Sequence, residues 1–272
     1  MQKTLDLNYL KNIVAFVNKY KHNGELSLMD IDKINRIILD EYPNEAVIGL
    51  EGDKIIHFTN IADDPEHHFK VDSKEFYKHE IDTLIHSHTY RYGETIPTPD
   101  GSWLDPRTPS KDDMKLQMAL DIPFIIIATD GDECSEPLEF PDLDAPLLGI
   151  QYVNGAYDCW SLIRRFHKQE MGVTIPDYPR EYGWWLKNYE GDERNIYMDN
   201  YLDKGFEDVS IDDLQYGDLL MFTLKGVVSH GGVYVGDDKF IHHLNNRLSI
   251  TESLPRWRSR VAKVARYDGV NR

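Results

Sequence analysis

The chain has 272 residues, of which 41% are hydrophobic and 28% are charged, and this length accommodates two domains of ordinary size. Its formal net charge of −17 would repel a phosphate backbone, so we expect no nucleic-acid partner. The longest apolar runs fall far short of the roughly 20 residues that a membrane span requires, so we expect no membrane span. Two cysteines, Cys134 and Cys159, are too few for a disulfide framework.

The acidic charge is distributed unevenly, which indicates two modules. Residues 1–140 carry 27 acidic and 14 basic residues, whereas the remainder carries 20 acidic and 16 basic residues. Three prolines and a dense set of carboxylates interrupt the hydrophobic periodicity between residues 129 and 149. We therefore predict an N-terminal domain over 1–140 and a C-terminal domain over 148–272.

The first domain has the pattern of a mixed α/β fold. Apolar residues recur at helical spacing in some segments and in short β-branched runs in others. The predicted elements, in chain order, are helices at about 5–20 and 28–41, strands at 46–50, 54–58 and 83–88, a helix at 111–120 and a strand at 124–130.

The second domain begins with a helix and continues as short strands. The helix covers "DCWSLIRRFHKQEM" and ends at Gly172. Five strands follow a loop-rich aromatic segment: "GDLLMF", "HGGVYVG", "KFIHH", "RLSITE" and "KVARY". This order predicts a helix packed on an antiparallel sheet, and the whole chain is therefore expected to be α+β.

Two histidines at the end of a predicted strand indicate a metal site. His86 and His88 are two residues apart, so both side chains point to one face of the strand. Asp113 could complete a set of three protein ligands, which is the arrangement of a catalytic Zn²⁺. Such a site also needs a carboxylate base and benefits from a hydroxyl donor, for which Glu45 and Ser110 are candidates.

The order "NEAVIGL", "DTLIHSH" and "PSKDD" resembles the JAB/MPN (JAMM) metallopeptidase motif. The resemblance implies a cytidine-deaminase-like fold in which His86, His88 and Asp113 bind Zn²⁺. It also implies that Glu45 is the general base and that Ser110 assists the oxyanion. Thr89 follows His88 where the family usually has proline, and Asp112 is an alternative to Asp113. The long insert after His88 is predicted to be a loop over the site.

Cys159 lies at the predicted start of a helix, where a thiolate is favoured. Asp158 is a plausible N-cap, and the alternative is that Cys159 is a buried small residue. An antiparallel pairing of the strands that contain His230 and His242 would bring both imidazoles beside the thiol. His230 would then be the base, and His242 would orient it.

The blocks "YDCWSLI", "YGDLLMF", "HGGVYVG" and "FIHH" resemble the NlpC/P60 cysteine peptidases, which have a papain-like fold and cleave peptidoglycan stem peptides. The resemblance implies that Tyr152, upstream of the cysteine, helps the oxyanion or the substrate pocket. His243 remains an alternative to His242 as the third catalytic residue.

The tandem of these two motifs resembles the K-type minor tail proteins, which are tail assembly proteins of long-tailed phages. This resemblance implies a peptidase that is made in the host cytoplasm, joins other tail-tip proteins in the virion and acts on peptidoglycan at the host cell wall. Two alternatives stay open. The chain could be a non-catalytic assembly factor, or a thiol acyltransferase or amidase with another substrate.

Overall fold

The computed structural model describes residues 28–90, 98, 104–186 and 195–269. The helix predicted at 5–20 and most of the insert predicted after His88 lie outside these residues. None of the described helices has both the length and the apolar character needed to cross a membrane.

The described residues form two compact units. The first consists of 28–90, 105–107 and 119–140, and the second consists of 98, 104, 108–118, 141–186 and 195–269. The division after Phe140 falls within the segment where the sequence predicted a boundary. Residues 108–118 were assigned to the first domain from the sequence, but they cluster with the second. Pro109 and Met114 pack there against the backbone of Gly155, where an added Cβ would lie 2.9 and 3.1 Å from their side chains.

A five-stranded sheet forms the first unit, in the order β2-β1-β3-β4-β5. β3 and β4 run parallel, and the other neighbours are antiparallel. The elements of the chain up to this point are α1 (Leu28–Glu41), β1 (Val47–Glu51), β2 (Lys54–Phe58), α2 (Ser73–Phe76), β3 (Thr83–Thr89), α3 (Lys111–Leu120), β4 (Phe124–Thr129) and β5 (Leu138–Phe140).

Helix α1 covers one face of this sheet. Ile31, Ile34 and Ile38 recur at helical spacing and are buried together with Ile48 and Ile125 of the sheet. The strands β1 and β4 are buried on nearly every residue, as expected for strands in the middle of a sheet.

A six-stranded antiparallel sheet forms the second unit, in the order β10-β9-β8-β7-β11-β6. Its elements are α4 (Cys159–Met171), α5 (Ile196–Asn200), β6 (Phe206–Val209), β7 (Leu219–Leu224), β8 (Val227–Gly236), β9 (Lys239–His242), β10 (Ile250–Ser253) and β11 (Val261–Tyr267). Among the described residues, 3-10 turns lie at Ile211–Asp213, Leu254–Arg256 and Arg258–Arg260.

Helix α4 packs on one face of this sheet, and a second apolar cluster covers the other face. Trp160, Ile163 and Phe166 of the helix are buried with Met221 and Val233. On the second face, Phe222, Phe240 and Trp257 are buried together. This double packing fixes the strands that carry the histidines.

Candidate active site

Helix α4 begins at Cys159, and its first turn is fixed by a cap. The side chain of Asp158 accepts hydrogen bonds from the backbone N–H of Ser161 at 2.9 Å and of Gly155 at 2.8 Å. At the other end, Gly172 adopts a left-handed conformation with φ of 69° and ends the helix. The cap places the sulfur of Cys159 at the positive end of the helix dipole.

A buried arginine holds this cap in place. Arg180 is 2% exposed, and its guanidinium donates to both carboxylate oxygens of Asp158, at 2.6 and 2.9 Å. It also donates to Asp177 at 2.9 Å and to the hydroxyl of Ser161 at 3.0 Å. Arg180 and the hydrogen-bonded cap hold the pKa of Asp158 at about 2, although burial acts in the opposite direction.

The two histidines of the predicted pair come from adjacent antiparallel strands. His242 lies opposite Gly232, so His230, two residues earlier on β8, points to the same face of the sheet. Nε2 of His230 lies 2.8 Å from Nδ1 of His242. His230 lies within β8 and pairs with Phe222, whereas the sequence placed it at the start of the strand.

His242 and His243 have different surroundings in the structure. His243 hydrogen-bonds the backbone carbonyl of Arg247 at 3.0 Å, and its ring packs edge-on against Tyr152 at 5.4 Å. Only His242, of these two, contacts the imidazole of His230.

A carboxylate lies beyond His242. Oε2 of Glu252 is 3.9 Å from Nε2 of His242 and accepts a hydrogen bond from the indole N–H of Trp257. The indole also packs on the imidazoles of His230 and His242, with ring centroids 5.9 and 5.0 Å apart. Glu252 therefore favours the proton of His242 on Nε2, which makes its Nδ1 the acceptor for His230.

One cavity of about 200 Å³ brings the thiol and the base together. Its lining includes Tyr152, Cys159, Tyr178, Arg180, His230 and His243. Because Nε2 of His230 bonds His242, Nδ1 is the ring nitrogen that can receive the proton of the thiol.

Burial suppresses charge on both members of this pair. It raises the pKa of the Cys159 thiol to about 11, and the neighbouring carboxylate of Asp158 acts in the same direction. Burial, followed by the nearby imidazoles of His242 and His243, holds the pKa of His230 well below its ordinary value. The pKa of His242 is lowered to about 4 by burial. Both shifts favour the uncharged forms of the thiol and of the imidazole.

Two residues at this site were missed from the sequence. Tyr197, on the short helix α5, donates a hydrogen bond from its hydroxyl to the sulfur of Cys159 at 3.1 Å. Arg180 was missed because it lies on an irregular segment, 22 residues beyond its partner Asp158. Short-range periodicity contains no signal for either contact.

The second cysteine lies away from this site. Cys134 is half-buried, and its sulfur contacts the backbone carbonyl of Asn35 at 3.8 Å. Burial raises the pKa of its thiol to about 11, and Asp130 adds to this effect. Cys134 is therefore a suitable control for the chemistry of Cys159.

The imidazoles of His86 and His88 lie at one end of β3. Their Nε2 atoms are 3.2 Å apart, and Nδ1 of His88 lies 2.8 Å from the carbonyl of Pro106. That carbonyl fixes the Nδ1–H tautomer of His88 and directs the lone pair of Nε2 toward His86. Two nitrogens bound to one tetrahedral Zn²⁺ would lie about 3.3 Å apart, given bonds of roughly 2.0–2.1 Å. The donor set therefore fits zinc.

The other predicted residues of the first motif are also placed by the structure. His86 and His88 belong to the first unit, whereas Ser110 and Asp113 belong to residues 108–118, which cluster with the second unit. Ser110 and Asp113 form a reciprocal cap of α3, with Ser110 N–H to Asp113 at 2.8 Å and Asp113 N–H to Ser110 Oγ at 3.0 Å. Glu45 is buried and lies two residues before β1, the strand that pairs with β3.

Comparison with known proteins identifies the second unit. Residues 149–266 match the model of the NlpC/P60 family. The prediction of an NlpC/P60 domain in the C-terminal half is thus confirmed, and the JAB/MPN assignment of the first unit stays a prediction.

Two similar proteins are phage tail proteins. The chain is 26% identical over 253 residues to the tail tip assembly protein K of Escherichia phage N15, covering 88% of this chain and 95% of that protein. It is 28% identical over 191 residues to the tail tip assembly protein K of Escherichia phage lambda, covering 69% of this chain and 82% of that protein. A solved NlpC/P60 family protein from Bacillus cereus aligns with a TM-score of 0.33 and 19% identity, over 86% of this chain and 66% of that one.

Proposed function

We propose that the NlpC/P60 domain is a cysteine peptidase that cleaves peptidoglycan stem peptides. The observation that carries this proposal is the cavity lined by Cys159 and His230, with His242 hydrogen-bonded to Nε2 of His230, which leaves Nδ1 as the nitrogen that can take a proton. A nucleophile, a base and an orienting residue in this order are what amide hydrolysis through a thioester requires.

The reaction proceeds in two steps, acylation of Cys159 and hydrolysis of the resulting thioester. Nδ1 of His230 takes the proton of the thiol as the sulfur of Cys159 attacks the peptide carbonyl. The backbone N–H of Cys159, at the start of α4, donates to the oxyanion. His230 then gives its proton to the leaving amine, which leaves a thioester. Water, deprotonated by His230, hydrolyses the thioester and restores the thiol. Tyr152 lines the same cavity, as a residue of the substrate pocket.

Digestion of purified peptidoglycan tests this proposal. Cys159→Ser is expected to abolish release of stem-peptide fragments, measured by mass spectrometry, and Cys134→Ser is expected to release them at the wild-type rate. A chelator should spare the activity, and a thiol alkylator should remove it. Fragments joined to a new acyl acceptor, in place of free carboxyl ends, would identify a thiol acyltransferase. Fragments released equally by Cys159→Ser would remove the peptidase assignment.

We infer that this peptidase acts as a component of a phage tail tip. The inference draws on the similarity to two tail tip assembly proteins over most of the chain. The protein would join other tail-tip proteins in the host cytoplasm and open the cell wall from the virion. A phage carrying Cys159→Ser should assemble normal tails and fail at wall penetration, measured by electron microscopy and DNA entry. Full infectivity of that phage would favour a non-catalytic assembly factor.

A second candidate function, for the histidine motif of the N-terminal half, is a zinc-dependent peptidase or isopeptidase. The observation that favours it is the 3.2 Å separation of the Nε2 atoms of His86 and His88, which matches tetrahedral zinc ligation. Bound Zn²⁺, held by these residues and Asp113, would polarise a peptide carbonyl and lower the pKa of a bound water. Glu45 would accept the proton of that water, and Ser110 would donate to the oxyanion.

Elemental analysis separates the ligands from the base of this second site. Glu45→Gln should retain one Zn²⁺ per chain and lose zinc-dependent cleavage, because it removes a proton acceptor without removing a ligand. Unchanged metal-dependent cleavage by this variant would place the base elsewhere.

A further inference from the structure

The sulfur of Cys159 accepts hydrogen bonds from donors that carry no charge. The hydroxyl of Tyr197 donates to it at 3.1 Å. The backbone N–H of Gly231 also faces the sulfur, and both donors lower the pKa of the thiol against the effect of burial. Among the residues that the structure describes, no hydrogen bond joins the sulfur to His230. Within the described part of the chain, Tyr197 is therefore the side chain that hydrogen-bonds the nucleophile.

The position of Tyr197 is fixed by its surroundings. Its side chain is 1% exposed, and its ring packs against the indoles of Trp160 and Trp184 at 6.0 and 6.2 Å. Its hydroxyl approaches β8 at Gly231, where an added Cβ would lie 2.6 Å from the hydroxyl oxygen. A residue without a side chain at 231 is thus what permits the contact between Tyr197 and Cys159.

The two charged side chains that act most strongly on the thiol, Asp158 and Arg180, together favour its neutral form, because the effect of Asp158 is the larger. The titratable groups that affect the thiol or share its cavity are Asp158, Tyr152, Tyr178, Arg180, Tyr197, Lys225, His230 and His243. Asp158 opposes the thiolate, and the positive charge of Arg180 is bound to Asp158 and Asp177. His230 is buried and resists protonation. Neutral donors in a site of low dielectric constant are then the groups that can stabilise negative charge on sulfur.

We propose that Tyr197 is a further catalytic residue of the cysteine site, which stabilises the Cys159 thiolate through its O–H···S hydrogen bond. The proposal rests on the function proposed above for Cys159. The phenolic proton stays on Tyr197 throughout, and the proton of the thiol goes to Nδ1 of His230. When the thioester forms, the charge on sulfur disappears and the contact weakens, so the hydrogen bond favours the attacking state.

Alkylation of Cys159 tests this role without any peptide substrate. In a Cys134→Ser background, the rate of reaction with iodoacetamide at pH 8 reports the thiolate fraction of Cys159, because the thiolate is the reactive species. Tyr197→Phe keeps the packing of the ring and removes the hydroxyl. Loss of one hydrogen bond to a charged group should raise the pKa of the Cys159 thiol by about one unit. The thiolate fraction at pH 8, and with it the alkylation rate, should then be about tenfold lower. A second reagent of different shape and chemistry, methyl methanethiosulfonate, should show a decrease in the same direction if the thiolate fraction, and not access to the sulfur, has changed.

Tyr201→Phe is the matched control, because the hydroxyl of Tyr201 donates to Asp208 at 2.7 Å, away from the thiol. It should alkylate at the wild-type rate. Equal rates for Tyr197→Phe and wild type with both reagents would overturn the proposal. If Tyr197→Phe fails to fold by circular dichroism, 3-fluorotyrosine at position 197 provides a stronger donor and should raise the rate. An unchanged rate with that residue would also overturn it.

The test distinguishes the two proposals. A lower alkylation rate in Tyr197→Phe, with no wall cleavage by the wild-type protein, would support the role of Tyr197 and remove the peptidoglycan substrate. Wall cleavage by the wild type with unchanged alkylation in Tyr197→Phe would support the peptidoglycan substrate and remove the role of Tyr197.

Discussion

Replacement of Arg180 by methionine should destabilise the second unit in a pH-dependent manner. The guanidinium is buried and bonds both oxygens of Asp158, so methionine fills most of its volume and leaves a buried carboxylate without its counter-ion. Asp177 is less affected, because Arg164 still donates to it at 2.6 Å. Breaking a buried pair by removal of one partner costs about 3–5 kcal/mol, which we expect at pH 7.

The pH dependence follows from the pKa of Asp158. In the folded wild type this pKa is about 2, below the value of roughly 3.9 in an unfolded chain. A lowered carboxyl pKa contributes stability above the unfolded pKa, and this contribution is lost as the pH falls from about 4 through 2. The two-unit difference corresponds to about 2–3 kcal/mol. Without Arg180, burial dominates and raises the pKa of Asp158. Protonation of Asp158 at low pH therefore reduces the difference in unfolding free energy between the wild type and the variant.

Urea denaturation at pH 7, 5 and 3 measures this effect. Four of the five tryptophans follow residue 149, so their fluorescence reports mainly on the second unit. The stability difference between wild type and Arg180→Met should narrow by about 2 kcal/mol between pH 7 and pH 3. In an Asp158→Asn background, the effect of Arg180→Met should be smaller and should lose most of its pH dependence. If the stability difference between wild type and Arg180→Met stays constant with pH, or becomes larger in acid, Asp158 is not the group that causes the pH dependence.

Three further predictions concern the catalytic groups. Cys159→Ser should retain the thermal stability of the wild type within about 1 kcal/mol and lose peptide cleavage, whereas Cys134→Ser should retain both, as measured by thermal unfolding and peptidoglycan digestion. His88→Ala should lower the zinc content, measured by mass spectrometry, from about one ion per chain toward zero; an unchanged content would remove this site. Glu252→Gln should lower kcat about fivefold at constant KM, because a partly exposed carboxylate 3.9 Å from His242 stabilises the developing imidazolium by about 1 kcal/mol; a change in KM alone would contradict this role.

The sequence predicted the elements whose hydrophobic periodicity extends over many residues or whose ends carry capping residues. The start of α4 after Asp158 and its end at Gly172 follow from capping preferences, and both agree with the structure. Three short elements, β5, β6 and α5, were missed because their three to five residues establish no period. The strands β1, β2, β9 and β10 are about as short and were predicted. The start of β8 was placed three residues late, because Lys225 and Gly226, with φ of 53° and 86°, make a tight turn that precedes it.

Contacts at the site were predictable where one hairpin creates them. His230 and His242 lie on adjacent strands joined by a short turn, and the period of two places them on one face. The contact between Cys159 and Tyr197 spans 38 residues and connects a helix start to a short helix. Such a pairing depends on tertiary packing, which a single sequence does not encode in any local pattern.

Asp158, the N-cap of α4, affects both the stability of the helix and the reactivity of Cys159. Asp158 stabilises the helix by accepting two backbone N–H groups, yet its negative charge lies beside the nucleophile and disfavours the thiolate. Arg180 offsets this charge with a bidentate contact, and it in turn lowers the pKa of the thiol. The guanidinium offsets only part of the effect of the carboxylate, and it lowers the pKa of the thiol less than the hydrogen bonds from Tyr197 and Gly231 do. Uncharged donors then decide how readily Cys159 loses its proton, which is why the contact with Tyr197 matters more here than it would beside an imidazolium.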